Sequence, residues 1–327
     1  MKTSKKVSLL SVVTVFAFLF ILTFSSIGTS AYSSPIAKAS TLVYVANNMS
    51  NSVSVISGTK VIKTVNVGSS PGLMAYAPNE HEVFVANSGG NTVSVIDTIS
   101  NKVIKTISGF AEPISAIYVP ANNAVYVANV GRNQVYEVNV TTFKIVHKIA
   151  VIGYGLFMLN PVNGLLSLTN LQNGTISVIN PATNKLVKIV TGLSFPLGIA
   201  FDPANNDTYV ANEESASVSV FNENYKLLKS ITGFEEPFFL AYNPTNKGMY
   251  LTDVDASAVY VISSSTNKVI KTISGLEGPS GIAFNPSNGL MYVCNVGSSN
   301  VQTISGYKLG KTISVGEFPI GIIVVTN

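Results

Sequence analysis

The residues of this chain that could bind a metal ion are glutamates placed just before recurring prolines. Each stands one or two residues before a proline in a turn-rich segment, and the set comprises Glu112, Glu235, Glu236, Glu277 and Glu317. If these segments meet around one opening, the carboxylates repel one another, and Ca²⁺, which prefers oxygen ligands, would relieve that repulsion. The alternative is a set of solvated loop residues that the width of the opening keeps apart.

Other catalytic arrangements are hard to assemble from this sequence. The two histidines, His81 and His147, fall in different predicted regions, so neither a histidine metal site nor a Ser-His-Asp triad forms readily. The pair Asp253 and Asp255 lacks the glycine and the distal glutamate of a calcium loop. The lone cysteine, Cys294, stands where most other repeats have alanine, so we expect a small buried residue rather than a reactive one.

A unit of about 41 residues, repeated seven times, must position these side chains. Successive units begin 40, 42, 41, 42, 41 and 42 residues apart, so almost no insertion separates them. The anchor of each unit is a block of four residues that begins at Tyr44, Phe84, Tyr126, Ser167, Tyr209, Tyr250 and Tyr292. A repeat of this period is typical of propellers and other repeat architectures.

Each unit contains four short runs rich in Val, Ile, Tyr, Phe and Thr, separated by turns rich in Pro, Asn and Gly. No run after the N-terminus has helical periodicity. The sequence therefore predicts an all-β fold for residues 41–327: a seven-bladed β-propeller with four antiparallel strands per blade. The last run, Pro319–Thr326, has the pattern of a first strand, so we expect it to join the N-terminal blade and close the ring.

The predicted propeller places particular residues at its edge and on one face. The fourth run of a blade has a free edge and carries lysines, such as Lys102 and Lys105, which discourage edge-to-edge aggregation. The loops from strand two to strand three, and from strand four to the next blade, share a face. The five glutamates are thus predicted to gather at the mouth of the central channel, where loop asparagines are the other polar groups: Asn87, Asn129, Asn170, Asn212 and Asn295.

The N-terminal residues 1–40 have the layout of a targeting segment. Lys2, Lys5 and Lys6 precede an apolar run from Val7 to Phe24. This pattern predicts either a signal peptide, cut after Ala31 or Ala39, or an uncleaved membrane anchor, in each case followed by a short linker. In both cases we expect an exported protein, secreted or at the cell surface, that contacts membrane only through this segment.

The charge and the sequons fit an exported domain. The formal net charge is +4, and the three leader lysines account for most of it. A nearly neutral domain with a single arginine, Arg132, has no basic footprint for nucleic acid. Four Asn-x-Ser/Thr sequons are candidate glycosylation sites, at Asn48, Asn139, Asn173 and Asn206.

The recurring Tyr-Val-Ala-Asn block, with Val93–Asp97 and Lys102–Ile107 after it in the second unit, resembles the YVTN-type β-propeller repeat over all seven units. The resemblance implies an exported setting similar to archaeal surface-layer proteins. Two units depart from it, because Glu137 interrupts a third strand and Ser167 replaces the aromatic residue.

Two functions follow from these observations. The favoured one is a non-catalytic extracellular scaffold that binds a protein, a glycan or a surface-layer neighbour and needs no cofactor. The alternative is a metal-dependent enzyme at the channel mouth, similar to seven-bladed lactonases and streptogramin lyases, with Ca²⁺ as the candidate ion. Those enzymes gather several His, Asn, Asp or Glu side chains, whereas here histidines are missing from the predicted mouth.

Overall fold

The computed structural model describes residues 41–326 and shows an all-β chain of seven four-stranded antiparallel sheets. The strands are β1 Thr41–Asn47, β2 Ser52–Ser57, β3 Lys60–Asn66, β4 Pro71–Ala77, β5 Glu82–Asn87, β6 Thr92–Asp97, β7 Lys102–Ile107, β8 Pro113–Val119, β9 Ala124–Asn129, β10 Gln134–Asn139, β11 Ile145–Ala150, β12 Phe157–Leu159, β13 Leu166–Asn170, β14 Thr175–Asn180, β15 Lys185–Val190, β16 Pro196–Asp202, β17 Asp207–Asn212, β18 Ser217–Phe221, β19 Leu227–Thr232, β20 Pro237–Asn243, β21 Gly248–Asp253, β22 Ala258–Ser263, β23 Lys268–Ser274, β24 Pro279–Asn285, β25 Leu290–Asn295, β26 Asn300–Ser305, β27 Lys308–Ser314 and β28 Pro319–Thr326. Two short 3₁₀ turns, Pro120–Asn122 and Val130–Arg132, flank β9. The predicted seven-bladed propeller is confirmed.

The chain ends close the ring in one blade. Blade 1 has the strand order β28-β1-β2-β3, and blades 2 to 7 each take four consecutive strands. Strand β28 pairs antiparallel with β1, from Thr41 opposite Thr326 to Asn47 opposite Pro319. The closing strand was therefore predicted correctly. Residues 1–40, with the predicted signal or anchor, lie outside the described residues, and no helix within residues 41–326 has the length and apolarity to cross a membrane.

Burial follows the position of a strand in its blade. The second strands are buried along nearly their whole length, as in β5 and β9, because neighbouring blades cover both faces. The fourth strands are exposed except near their ends, and Lys102 and Lys105 of β7 face solvent as predicted. The core is therefore a series of apolar layers between blades.

A repeated contact joins each blade to the next. The second strand carries a buried aromatic residue that reaches a left-handed residue in the turn between strands three and four of the following blade. Tyr126 of blade 3 donates to Oδ1 of Asn184 at 2.6 Å, and burial raises the pKa of the Tyr126 phenol, so that it remains a donor. The other hydrogen-bonded tyrosine pairs are Tyr44 with Asn101, Tyr209 with Asn267, Tyr250 with the Gly306 carbonyl and Tyr292 with the Gly58 carbonyl. We call this contact the interblade latch.

The remaining two latches use different residues for the same contact. Between blades 2 and 3, Phe84 meets Phe143 with their ring centroids 6.4 Å apart. Between blades 4 and 5, Ser167 hydrogen-bonds to the hydroxyl of Tyr225. The aromatic ring that blade 4 lacks is therefore supplied by blade 5, and this accounts for the departure of Ser167 from the repeat.

Candidate functional site: an acidic surface on the loop face

One face of the propeller carries a backbone hydrogen bond that recurs in every blade. The residue after the second strand donates its N–H to a carbonyl just before the first strand of the same blade, one residue before it in six blades and three residues before it in blade 4. The seven pairs are Asn48 to Phe318, Ser88 to Ser70, Val130 to Glu112, Leu171 to Tyr154, Glu213 to Phe195, Val254 to Glu236 and Val296 to Gly278. We call this surface the loop face, and its two sets of loops are those predicted to share a side.

The asparagines that end the second strands support these loops from below. Asn212 is buried and donates to the hydroxyls of Ser217 and Ser219, and Asn47, Asn87 and Asn170 make the same kind of bonds. The residues offered by the sequence as channel-mouth ligands are thus engaged in the blade itself. These bonds compensate the burial of the amide N–H groups, whereas the side-chain oxygens of Asn47, Asn87, Asn170, Asn212 and Asn295 are buried without a hydrogen-bond partner among the described residues.

Blade 6 has an aspartate in place of this asparagine. The carboxylate of Asp253 accepts the backbone N–H groups of Glu235 and Glu236, at 2.8 and 2.9 Å. It also accepts the N–H of Ala256 at 3.2 Å. One buried carboxylate therefore fixes two loops, and both loops carry further acids.

These loops build an acidic surface between blades 5 and 6. Glu236 is half-buried, and burial raises its pKa to about 7, together with a hydrogen bond that protonated Glu236 donates to Asp255 and the negative charge of Asp255. Burial, with the charges of Glu214 and Asp255, also raises the pKa of Glu213. The surface consists of Glu213, Glu214, Glu235, Glu236, Asp253 and Asp255. Within residues 41–326 the one ion pair, His147 with Glu137, lies elsewhere, so no basic side chain of the described part neutralises it.

The structure distributes the five predicted glutamates over four loops. Glu235 and Glu236 belong to the acidic surface, whereas Glu112, Glu277 and Glu317 are exposed on the loops before β8, β24 and β28. In the described range no three or more His, Cys, Asp or Glu side chains are grouped so as to hold a metal. Calcium binding by these glutamates therefore stays a prediction.

Sequence reasoning missed Glu213, Glu214 and the role of Asp255. All three follow directly after the end of a second strand, at Asn212 or Asp253. The repeat alignment was enough to place them on the same face as Glu235 and Glu236. The alignment could not show that the loop after a second strand lies beside the loop before a first strand at the interface between blades 5 and 6.

The two histidines lie in different blades, as predicted. His81 is in the turn before β5, and His147 is on the exposed strand β11. The Nδ1 atom of His147 lies 2.6 Å from Oε2 of Glu137. Glu137 is buried and also accepts a hydrogen bond from Asn184, which receives the Tyr126 latch. The glutamate that interrupts the third strand thus belongs to a polar network between blades 3 and 4.

The four sequons differ in accessibility. Asn173 and Asn206 are exposed in turns. Asn48 is half-buried and its amide donates to the Pro71 carbonyl at 3.1 Å. Asn139 is also half-buried, and its side-chain oxygen accepts bonds from Thr142. Glycosylation remains a prediction at all four, with the most room at Asn173 and Asn206.

Comparison with known proteins supports the fold. No protein-family model matches the chain, and no curated protein matches it. Among solved structures, Kuenenia stuttgartiensis hydrazine synthase is similar with a TM-score of 0.70 and 18% identity, covering 86% of this chain and 100% of that one. A functionally unknown protein from Desulfotomaculum acetoxidans gives 0.75 and 16%, covering 87% and 98%. Dihydro-heme d1 dehydrogenase NirN in complex with DHE gives 0.63 and 14%, covering 86% and 74%. At these identities the likeness establishes a shared propeller fold.

Proposed function

We propose that this protein is an exported, non-catalytic binding propeller whose loop face engages a protein or glycan at the cell surface. The observation that carries the proposal is the acidic surface, six carboxyl side chains on three loops between blades 5 and 6, two of which Asp253 ties together by hydrogen bonds. Two features of the sequence support the exported setting. The repeats are similar to the YVTN type, and lysines precede an apolar run in the N-terminal segment.

The acidic surface has a clear physical reason to bind a partner. Like charges gathered on a rigid frame are unfavourable, and burial together with neighbouring carboxylates raises the pKa values of Glu213 and Glu236. A partner with basic groups, or one bridged by cations, would relieve the repulsion on contact. The loops are fixed beforehand by Asp253, so binding would cost little backbone ordering.

A charge-removal experiment tests this proposal. One variant combines Glu213→Gln, Glu214→Gln and Glu236→Gln on the acidic surface. The control combines Glu112→Gln, Glu277→Gln and Glu317→Gln, which removes the same number of charges from other loops of the loop face. Both are compared with the native chain for binding to separated glycan and protein fractions of the host cell envelope at several salt concentrations.

We expect salt-sensitive binding of the native chain to one fraction, lost in the acidic-surface variant and kept in the control. Equal loss in both variants would mean that net charge, and not this surface, drives binding. Binding that neither variant changes would refute the proposed site.

A metal-dependent hydrolase or lyase is the second candidate function. The observation in its favour is Glu236, because a carboxyl group with a pKa of about 7 can exchange protons at neutral pH. A panel of lactones and cyclic esters with added divalent cations tests it. Turnover that Glu236→Gln abolishes and Glu112→Gln preserves would support the enzyme, and absence of turnover would leave the binding function.

A further inference from the structure

We propose that the central channel is a binding site for a flat, largely apolar aromatic molecule with hydrogen-bonding atoms at its edge. The site is a half-open cavity of about 380 Å³ lined by the first strands of the blades. None of the residues of the acidic surface lines this cavity, and the inference does not depend on the function proposed above.

The size and lining of the cavity define the class of ligand. Its walls come from the third to sixth residues of the first strands and, in blade 4, from the start of β12; they include Leu73, Ile117, Phe157, Phe239 and Ile323. A cavity of roughly 150 Å³ is enough for benzene. A volume of about 380 Å³ therefore suits two or three fused rings, and lies within the range usual for small-molecule sites.

Glycines narrow the channel toward the loop face. A Cβ atom at Gly281 would lie 2.3 Å from the carbonyl oxygen of Ile320 in the next blade, and one at Gly321 would lie 2.5 Å from that of Gly72. Gly198 meets the Phe238 carbonyl in the same way, at 2.3 Å. Only glycine permits such close approach of neighbouring backbones. The first strands therefore converge at this end, and the wider part of the channel lies toward the opposite face.

The side-chain hydroxyl groups on the wall of this cavity already have hydrogen-bond partners, so they hold water weakly. The hydroxyl of Ser115 already donates to the Gly155 carbonyl at 2.7 Å, and that of Tyr118 donates to Oδ1 of Asn123 at 2.6 Å. The first strands are edge strands, so their unpaired backbone groups remain as the main polar partners. An apolar ring system displaces poorly held water at a gain, and polar atoms at its rim can meet these backbone groups.

The experiment uses 1-aminoanthracene, an uncharged aromatic amine whose fluorescence rises in apolar surroundings, with the full chain. Ile117→Trp and Ile323→Trp, made separately, place an indole in the cavity from half-buried positions. Ile104→Trp is the matched control on exposed strand β7. The chain has no native tryptophan, so each new indole also reports its own surroundings.

We expect saturable binding with a stoichiometry near one. Each cavity variant should weaken it by about tenfold or more, because the indole takes volume that the ligand needs, whereas Ile104→Trp should leave it unchanged. Unsaturable binding, or equal weakening by Ile104→Trp, would overturn the proposal. If a cavity variant does not unfold cooperatively, ¹²⁹Xe NMR of the native chain takes its place: a saturable xenon shift supports an apolar cavity, and its absence contradicts one.

Discussion

The interblade latch between blades 4 and 5 allows a compensating exchange to be designed. Ser167 and Tyr225 lie 58 residues apart, and Tyr126 and Asn184 are separated by the same number. Replacing both residues, as Ser167→Tyr with Tyr225→Asn, would rebuild the latch found between blades 3 and 4. Asparagine also suits the left-handed backbone of Tyr225, whose φ is 59°, better than tyrosine does.

The magnitudes follow from burial at the two positions. Ser167 is fully buried, so a second ring beside Tyr225 overpacks the interface at a cost of about 1 to 3 kcal/mol. Tyr225 is half-buried, so Tyr225→Asn alone should cost about 2 kcal/mol, roughly half the loss expected for a fully buried aromatic residue. The double variant should lie within about 1 kcal/mol of the native chain, giving a coupling energy of at least about 2 kcal/mol.

Equilibrium unfolding in urea of the native chain, both single variants and the double variant measures this coupling. The control cycle combines Tyr225→Asn with Tyr44→Phe, which affects the latch between blades 1 and 2 and should be additive within about 0.5 kcal/mol. Additive effects of Ser167→Tyr and Tyr225→Asn would refute the reasoning, since they would show that the two side chains do not share one site.

Three further predictions concern titration, thiol reactivity and calcium. Glu236 and Glu82 have pKa values raised to about 7, mainly by burial. Above about pH 4.5 the unfolded chain therefore loses protons that the folded chain still holds. The free energy of unfolding should fall between about pH 4.5 and 7 and then level off. In denaturant titrations Glu236→Gln should reduce that fall, and an unchanged pH profile would contradict the assignment. Cys294 is fully buried and burial raises its pKa, so 5,5′-dithiobis(2-nitrobenzoate) should react with it only after unfolding; rapid reaction of the folded chain would show that the blade opens locally. Melting midpoints with Ca²⁺ and with chelator test calcium binding by the five sequence-predicted glutamates: a Ca²⁺-dependent rise of several degrees that Glu235→Gln with Glu277→Gln removes would support the metal site, and agreement within about 1 °C would contradict it.

The fold could be predicted from the sequence because every blade repeats the same pattern of apolar, polar and turn residues along its four strands. Apolar second strands such as β9, lysines on fourth strands such as β7 and the late strand β28 are all local patterns that repeat. Closure of the ring could be predicted because the first unit lacks a first strand and the chain ends with one, β28. None of these required knowledge of a specific contact between blades.

The contacts between blades could not be obtained in the same way. Ser167 looked like a departure from the repeat because its compensation by Tyr225 is 58 residues away, in a different element of a different blade. The acidic surface likewise needed Asp253 to hold the loop of Glu235 and Glu236 beside Asp255. The apolar lining of the channel interior by side chains of the first strands, such as Leu73 and Phe239, was not foreseen. Periodicity assigns residues to strands, whereas these features depend on how twisted sheets meet.

The pairing of β1 with β28 also determines how the ring responds to force. Thr41 lies opposite Thr326, so a pull that separates these two residues loads the outermost hydrogen bonds of the ladder first and opens it one pair after another. This load arises only when the force acts between Thr41 and Thr326 themselves. The contact that closes the ring at equilibrium is therefore its weakest point under tension between the two ends.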